Sequence, residues 1–189
     1  EECAGWLGSL VGESTRVAVV QNGVEHVENL VAYVSEDRIL PVMIGCPSER
    51  VSAEKIKQGD NGLMVVPEGE MGAGFEKLFE KSSFQLKQSQ DFKTQAWKKL
   101  CLNAAGAVMA ITDVPSKVSH HKEGGALMRE LARECYEVAC AEGANLDESV
   151  IDWLMGAYQN HNPESVNSLH ADRRAGRPME VHARNGIIV

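Results

Sequence analysis

Gln95-Ala-Trp97-Lys98-Lys99-Leu100-Cys101-Leu102-Asn103-Ala104-Ala105 reads as a helix, because alanine, leucine, lysine and glutamine favour that state and no proline follows before Pro115. Lys99 and Asn103 are four residues apart, so a helix projects both from one face. Trp97, Leu100, Ala104 and Ala107 surround that face and predict an apolar strip. A lysine and an amide on the buried side of a helix are an unusual choice. The structural reading is a snorkelling lysine and a surface asparagine; the functional one is a polar site set into a helix. The rest of the chain bears on the choice.

Upstream of this helix the pattern is α/β. Arg16-Val-Ala-Val-Val20 is a short β-branched run of the kind found in buried parallel strands. It ends at the turn Gln21-Asn22-Gly23, and Val24, Val27, Leu30, Val31 and Val34 follow at helical spacing. Ligands of open α/β sheets gather at the carboxyl ends of strands, which is where Asn22 falls; alternatively Asn22 is a turn residue and nothing more. Ile39–Cys46 is a second apolar strand, an alternating stretch runs from Arg50 to Lys57, and Gly59-Asp-Asn-Gly62 leads into Leu63–Pro67, which closes a hairpin. Pro67–Gly74 reads as a glycine-rich loop that lacks the G-x-G-x-x-G spacing of a phosphate turn. Phe75–Lys81 then predicts a short amphipathic helix and Phe84–Gln88 an edge strand.

From Asp91 onward the pattern is helical throughout. Asp91 is the expected N-cap of a helix through Lys99 to about Ile111, broken by Asp113-Val-Pro115. Lys122–Gly143 predicts a long helix with Gly143 as its C-cap, and Asp147 opens a third that reaches Tyr158. A fourth starts near Glu164 and carries Ser168 and Asp172; Gly176-Arg-Pro178 interrupts it and Glu180 starts the last segment. The expected organisation is an α/β part over residues 1–90 followed by an all-α domain over 91–189.

A chain of 189 residues can bury a sizeable core. Its net charge of −8 argues against nucleic acid or an anionic membrane as partner, and no window approaches the roughly 18 apolar residues of a membrane helix. Five scattered cysteines (Cys3, Cys46, Cys101, Cys135, Cys140) without a C-x-x-C pair predict reduced core residues in a cytoplasmic protein, with no metal site. The chain has no initiator methionine or signal peptide; Glu1–Val11 reads as the middle of a helix and Glu180–Val189 stops in an uncapped apolar run, so a fragment cut at both ends is expected.

Ser165-Val-Asn-Ser168-Leu-His-Ala-Asp172-Arg-Arg-Ala-Gly176-Arg177-Pro-Met-Glu180-Val-His-Ala-Arg-Asn185-Gly186 is denser in polar residues and glycine than a packed helical interior requires. A solvated charged face would account for it. The alternative is a cleft between the two domains lined by Asn22, Lys99, Asn103, Ser168 and Glu180. In such a cleft a lysine could serve as general acid or carboxylate clamp, its pKa tuned by desolvation.

Trp97-x-Lys99-Leu-x-x-Asn103, followed by Ser168-x-x-x-Asp172-x-x-x-Gly176-Arg177-x-x-Glu180 and Asn185-Gly186, resembles the ketopantoate reductase (2-dehydropantoate 2-reductase) family, as does Val-Val-Gln-Asn22-Gly23 at the end of the first strand. The resemblance covers essentially the whole chain in the right order. It implies that residues 1–90 are the C-terminal portion of a Rossmann-like dinucleotide-binding domain whose first βαβ half is missing. It also implies that 91–189 form the helical substrate domain, truncated at its end. The implied reaction is reduction of 2-dehydropantoate by NADPH to pantoate, for pantothenate synthesis, with Lys99 as proton donor. Asn103 and Ser168 match substrate-binding positions, and Asn22 and Glu180 positions that touch the cofactor. The implied partner is a small 2-oxo acid, with a homodimer as the assembly to consider.

Two departures stand out. Family members carry a further asparagine where this chain has Ala107, and another where Ser116 or Lys117 stands. Fewer amides bear on which 2-oxo acid is bound, because polar sites discriminate through the partners they leave unpaired. Without a G-x-G-x-x-G turn the 189 residues alone are expected to bind NADPH poorly and to be inactive. Two competing readings are a paralogous reductase of another branched 2-oxo acid and a non-catalytic helical dimerisation or binding module.

Overall fold

The computed structural model describes residues 4–59 and 62–189. Two compact units divide the chain, one ending at Gln95 and the other beginning at Ala96. Cys3 lies outside the described residues, as do Asp60 and Asn61 of the expected 59–62 turn and the first three residues of the expected N-terminal helix.

In the first unit, α1 (Ala4–Leu10) leads into β1 (Val17–Val20), β2 (Ile39–Gly45), the short strands β3 (Ser48–Arg50) and β4 (Ile56–Gln58), β5 (Leu63–Pro67), α2 (Glu70–Lys77) and β6 (Gln85–Ser89). The main sheet has the order β1-β2-β5-β6. β1 runs parallel to β2, β2 antiparallel to β5, and β5 parallel to β6, while β3 and β4 form a separate antiparallel ribbon. Leu40, Val42, Met64 and Val66 make the buried centre of one face, with Met71 and Phe75 of α2 packed on it. Val19, Val34 and Ile39 form a second cluster with Val27 and Leu30.

Three expectations fail here for identifiable reasons. Val27, Leu30 and Val34 pack with Val19 of β1 and Ile39 of β2 while Val31 is exposed, and residues 24–34 do so through a series of turns rather than a helix. Asn29, Val31 and Val34 make helix-like i→i−4 hydrogen bonds, interleaved with tighter i→i−3 bonds at Leu30 and Tyr33. β1 pairs in parallel as expected, yet only Val19 is buried, since β1 has a single neighbour among the described strands. The expected glycine-rich loop is mostly the first part of α2. Gly72 is there for proximity, because a Cβ at that position would stand 2.3 Å from the Pro67 carbonyl oxygen. Within Pro67–Gly74, Gly69, at φ 146°, is the glycine that uses its conformational freedom.

The second unit is helical. It contains most of α3 (Phe92–Ala105), then α4 (Ala107–Thr112), α5 (Lys122–Ala141), α6 (Ser149–Gln159), α7 (Ser168–Arg174) and α8 (Val181–Arg184). The Thr94 amide donates to Asp91 Oδ1 at 3.1 Å, so Asp91 does cap α3. The single helix expected through Ile111 is two, divided at Gly106. The fourth helix begins at Ser168 rather than near Glu164, because the Asn167 side chain accepts from the His170 amide and fixes the start there. Leu100, Cys101, Ala104, Met128, Cys135 and Leu154 are fully buried. Of the cysteines expected in the core, Cys101 and Cys135 are there, whereas Cys46 is half-buried and Cys140 exposed. No helix among the described residues is long and apolar enough to cross a membrane.

Asp113 fastens α4 to α7. It leaves α4 in a left-handed conformation at φ 56°, and its Oδ1 accepts from His170 Nε2 at 2.8 Å and from Arg174 Nε at 2.9 Å. The Arg174 hydrogen bond, then that of His170, holds the carboxyl down at about 2 from its ordinary 3.8. A carboxyl depressed on folding stabilises above its unfolded pKa and loses that contribution as pH falls through the folded value. Asp113→Asn, which tolerates the left-handed turn, is therefore expected to melt a few degrees below the parent at neutral pH. The gap should close as pH approaches 2 in a thermal melt series.

A candidate active site in the helical unit

α3 buries Trp97, Leu100, Cys101 and Ala104 against the core, leaving Lys99 and Asn103 half-buried on the adjoining strip of the same helix. The neighbouring Lys98 instead lays its ammonium over the Trp153 ring at 4.1 Å. Burial brings the Lys99 ammonium down to about 8 from 10.5; the Arg184 guanidinium pushes the same way and the Glu180 carboxylate opposes both.

The far end of α3 is held by side chains from three other segments. The Tyr158 hydroxyl of α6 donates to the Leu102 carbonyl at 2.8 Å, Asn167 Nδ2 to the Gly106 carbonyl at 2.8 Å, and Asn185 Nδ2 to the Ala104 carbonyl at 3.2 Å. Burial drives the Tyr158 phenol far upward, so it stays a neutral donor. Asn167 also caps α7 and so places Ser168, which is exposed, at the helix start.

Arg184 joins these pieces. It is only 3% exposed, and its Nη2 donates to Ser168 Oγ at 2.7 Å and to Glu180 Oε2 at 3.4 Å, while its buried Nε finds no hydrogen-bond partner among the described residues. Ser168 and Glu180 thus meet at one buried guanidinium, and Lys99 lies within its electrostatic reach. Asn103 stands one helical turn beyond Lys99 on α3. Asn22 belongs to the other unit, just after β1 and before Gly23 at φ 100°. Sequence reasoning passed over Arg184. The signal was an arginine between Ala183 and Asn185-Gly186, one helical turn after Glu180, on a segment that already carried a suspected site residue.

The two departures in amide content have structural uses. Ala107 is buried with Ala110 and Leu169, so an apolar contact occupies that position. Ser116 is buried and donates to the Tyr158 carbonyl at 2.9 Å, and Lys117 pairs with Glu164 at the surface.

Both parts of the chain match profiles of one family. Residues 1–70 match "Ketopantoate reductase PanE/ApbA" and residues 91–189 "Ketopantoate reductase PanE/ApbA C terminal". The chain belongs to the ketopantoate reductase family. A 2-dehydropantoate 2-reductase of Caulobacter vibrioides is 46% identical over 184 residues, which is 97% of this chain and 63% of that protein. One from Mycobacterium tuberculosis is 34% identical, over 97% of this chain and 62% of the relative. The chain therefore spans just under two thirds of the length of these relatives. Among solved structures, the dimeric ketopantoate reductase of Staphylococcus aureus superposes with a TM-score of 0.89 at 22% identity, covering 99% of this chain and 64% of that one. In the ketopantoate reductase fold, the expected sequence of a Rossmann-like part and then a helical part holds for this chain.

Proposed function

We propose that the protein containing this chain reduces 2-dehydropantoate to pantoate with NADPH in the cytoplasm, with Lys99 as proton donor. The observation that carries this reading is the half-buried Lys99, its ammonium held at about 8 beside Arg184, in a chain 46% identical to a 2-dehydropantoate 2-reductase. An ammonium at a ketone oxygen stabilises charge that develops mainly in the transition state. Lowering its pKa brings the donor close to the operating pH, where proton transfer is most effective. Asn103 and Ser168 supply an amide and a hydroxyl for the substrate's oxygens. NADPH, when bound, supplies the hydride. Asn22, at the carboxyl end of a strand in a parallel pair, and the half-exposed Glu180 carboxylate would hold it, through amide and hydroxyl hydrogens. The partners are a small 2-oxo acid and, in assembly, a second copy of the chain; residues 1–90 serve the cofactor, 91–189 the substrate, and the 189 residues alone do not turn over.

The apolar Ala107 contact and the structural use of Ser116 favour one variation, a reductase of another branched 2-oxo acid. Loss of NADPH absorbance by the full-length protein, with 2-dehydropantoate beside 2-oxoisovalerate, tests the choice. A higher kcat/KM for 2-dehydropantoate is expected. A preference for 2-oxoisovalerate would transfer the assignment to the paralogue, and silence on both would leave a binding module.

A further inference from the structure

We propose that Arg184 is a positioning residue that makes Ser168 a one-way hydrogen-bond donor to the carboxylate of the 2-oxo acid, so that the site accepts the free acid and rejects its neutral ester or lactone. This rests on the reductase reading above.

A guanidinium only donates and stays charged. In the 2.7 Å contact with Arg184 Nη2, Ser168 Oγ must therefore accept, and its own hydrogen is turned away from Arg184. Ser168 is exposed, so that hydrogen is available to a ligand. Its position is not left to a mobile loop: Asn167 caps α7 beside it and is bonded to the Gly106 carbonyl.

The charge of Arg184 supports the same conclusion. A buried cation is costly unless it is paired and hydrogen-bonded. Arg184 has Glu180 at 3.4 Å, longer than a good charge-assisted hydrogen bond, and a buried Nε with no acceptor among the described residues. Lys99 adds a second positive charge within electrostatic reach. An anion bonded to Ser168 relieves this surplus, and a neutral group does not. Lysine at 184 would keep the charge but lose the planar fork that serves Ser168 and Glu180 together.

The test uses the full-length protein with NADPH and compares 2-dehydropantoate with its lactone. Ser168→Ala and Arg184→Gln are each expected to lower kcat/KM for the acid by about tenfold or more, mostly through KM, on the scale of a lost charge-assisted hydrogen bond. The acid-over-lactone ratio of kcat/KM should fall by a similar factor. The double variant should be no worse than the poorer single one, because the two residues act as a unit, and Arg184→Lys should restore part of the loss. Equal losses on acid and lactone, or single effects that multiply in the double variant, would overturn the proposal. Should Arg184→Gln fail to fold, Arg184→Lys takes its place: an acid preference unchanged in it, or unchanged in Ser168→Ala, contradicts the proposal. If the wild type reduces neither compound, calorimetric binding separates the two claims. Acid binding weakened alike in Ser168→Ala and in the Arg184 variant keeps the role of Ser168 and Arg184 while the reductase reading falls; no binding of the acid ends both.

Discussion

Lys99→Ala is expected to lower kcat for 2-dehydropantoate by about 100-fold or more, the loss typical of a missing general acid, with the protein still folded. The position is half-buried on a helix whose neighbours Leu100, Cys101 and Ala104 carry the packing, so removal of the side chain leaves the core in place. Stability should move the other way from activity. Burial lowers the Lys99 pKa from 10.5 to about 8, so in the folded state the ammonium is disfavoured. Between those values the unfolded chain binds more protons than the folded one, and stability therefore rises with pH from about 8 to 10.5. At pH 7 the folded protein carries the full penalty. Lys99→Met, which removes the charge and keeps the length, is expected to melt higher than the parent at pH 7 and to be inactive. A lower melting temperature for Lys99→Met would show that the ammonium is compensated in the folded state.

Gly106→Ala is expected to destabilise the helical unit by about 2–4 kcal/mol, combining overpacking with displaced buried hydrogen bonds. The backbone is not the obstacle, since Gly106 has ordinary helical angles of φ −64° and ψ −13°. Space is. A Cβ would stand 2.4 Å from the Tyr158 hydroxyl and 2.6 Å from Asn167 Nδ2. Tyr158 would be pushed from the Leu102 carbonyl and Asn167 from the Gly106 carbonyl, and the second shift disturbs the cap that places Ser168. Chemical denaturation should show the loss as a lower midpoint with little change in slope. KM for the 2-oxo acid should rise in the same variant. A midpoint within experimental error of the parent would mean that Tyr158 and Asn167 can yield without loss.

The helical half was legible because its signals are local. Asp91, Asp113-Val-Pro115 and Gly143 mark helix ends by their own chemistry, and the structure ends helices at or beside each of them. Residues 24–34 were misread because valines at helical spacing also satisfy a series of turns packed on a sheet edge. Gly72 was misread, and Gly106 passed over, for a different reason. Each lacks a side chain so that something distant in the chain can come close, and sequence spacing carries no record of that neighbour. The site shows the same division. Lys99 stood out as a charge on an apolar helix face, which a single stretch reveals. Arg184 was missed because a lone arginine has no local mark of burial; its role depends on Ser168, which lies 16 residues away and in another helix.

The measurement that bears most directly on the proton-donor assignment is the pH dependence of kcat/KM for 2-dehydropantoate and NADPH in the full-length protein, wild type beside Lys99→Ala. The donor must be protonated, and the free-enzyme pKa governs this profile. The wild-type rate is expected to fall about tenfold per pH unit above the Lys99 value of about 8. The residual rate of Lys99→Ala should lack that limb. A profile in which wild type and variant lose activity at the same pH, or a variant that keeps most of its kcat, would contradict Lys99 as the donor.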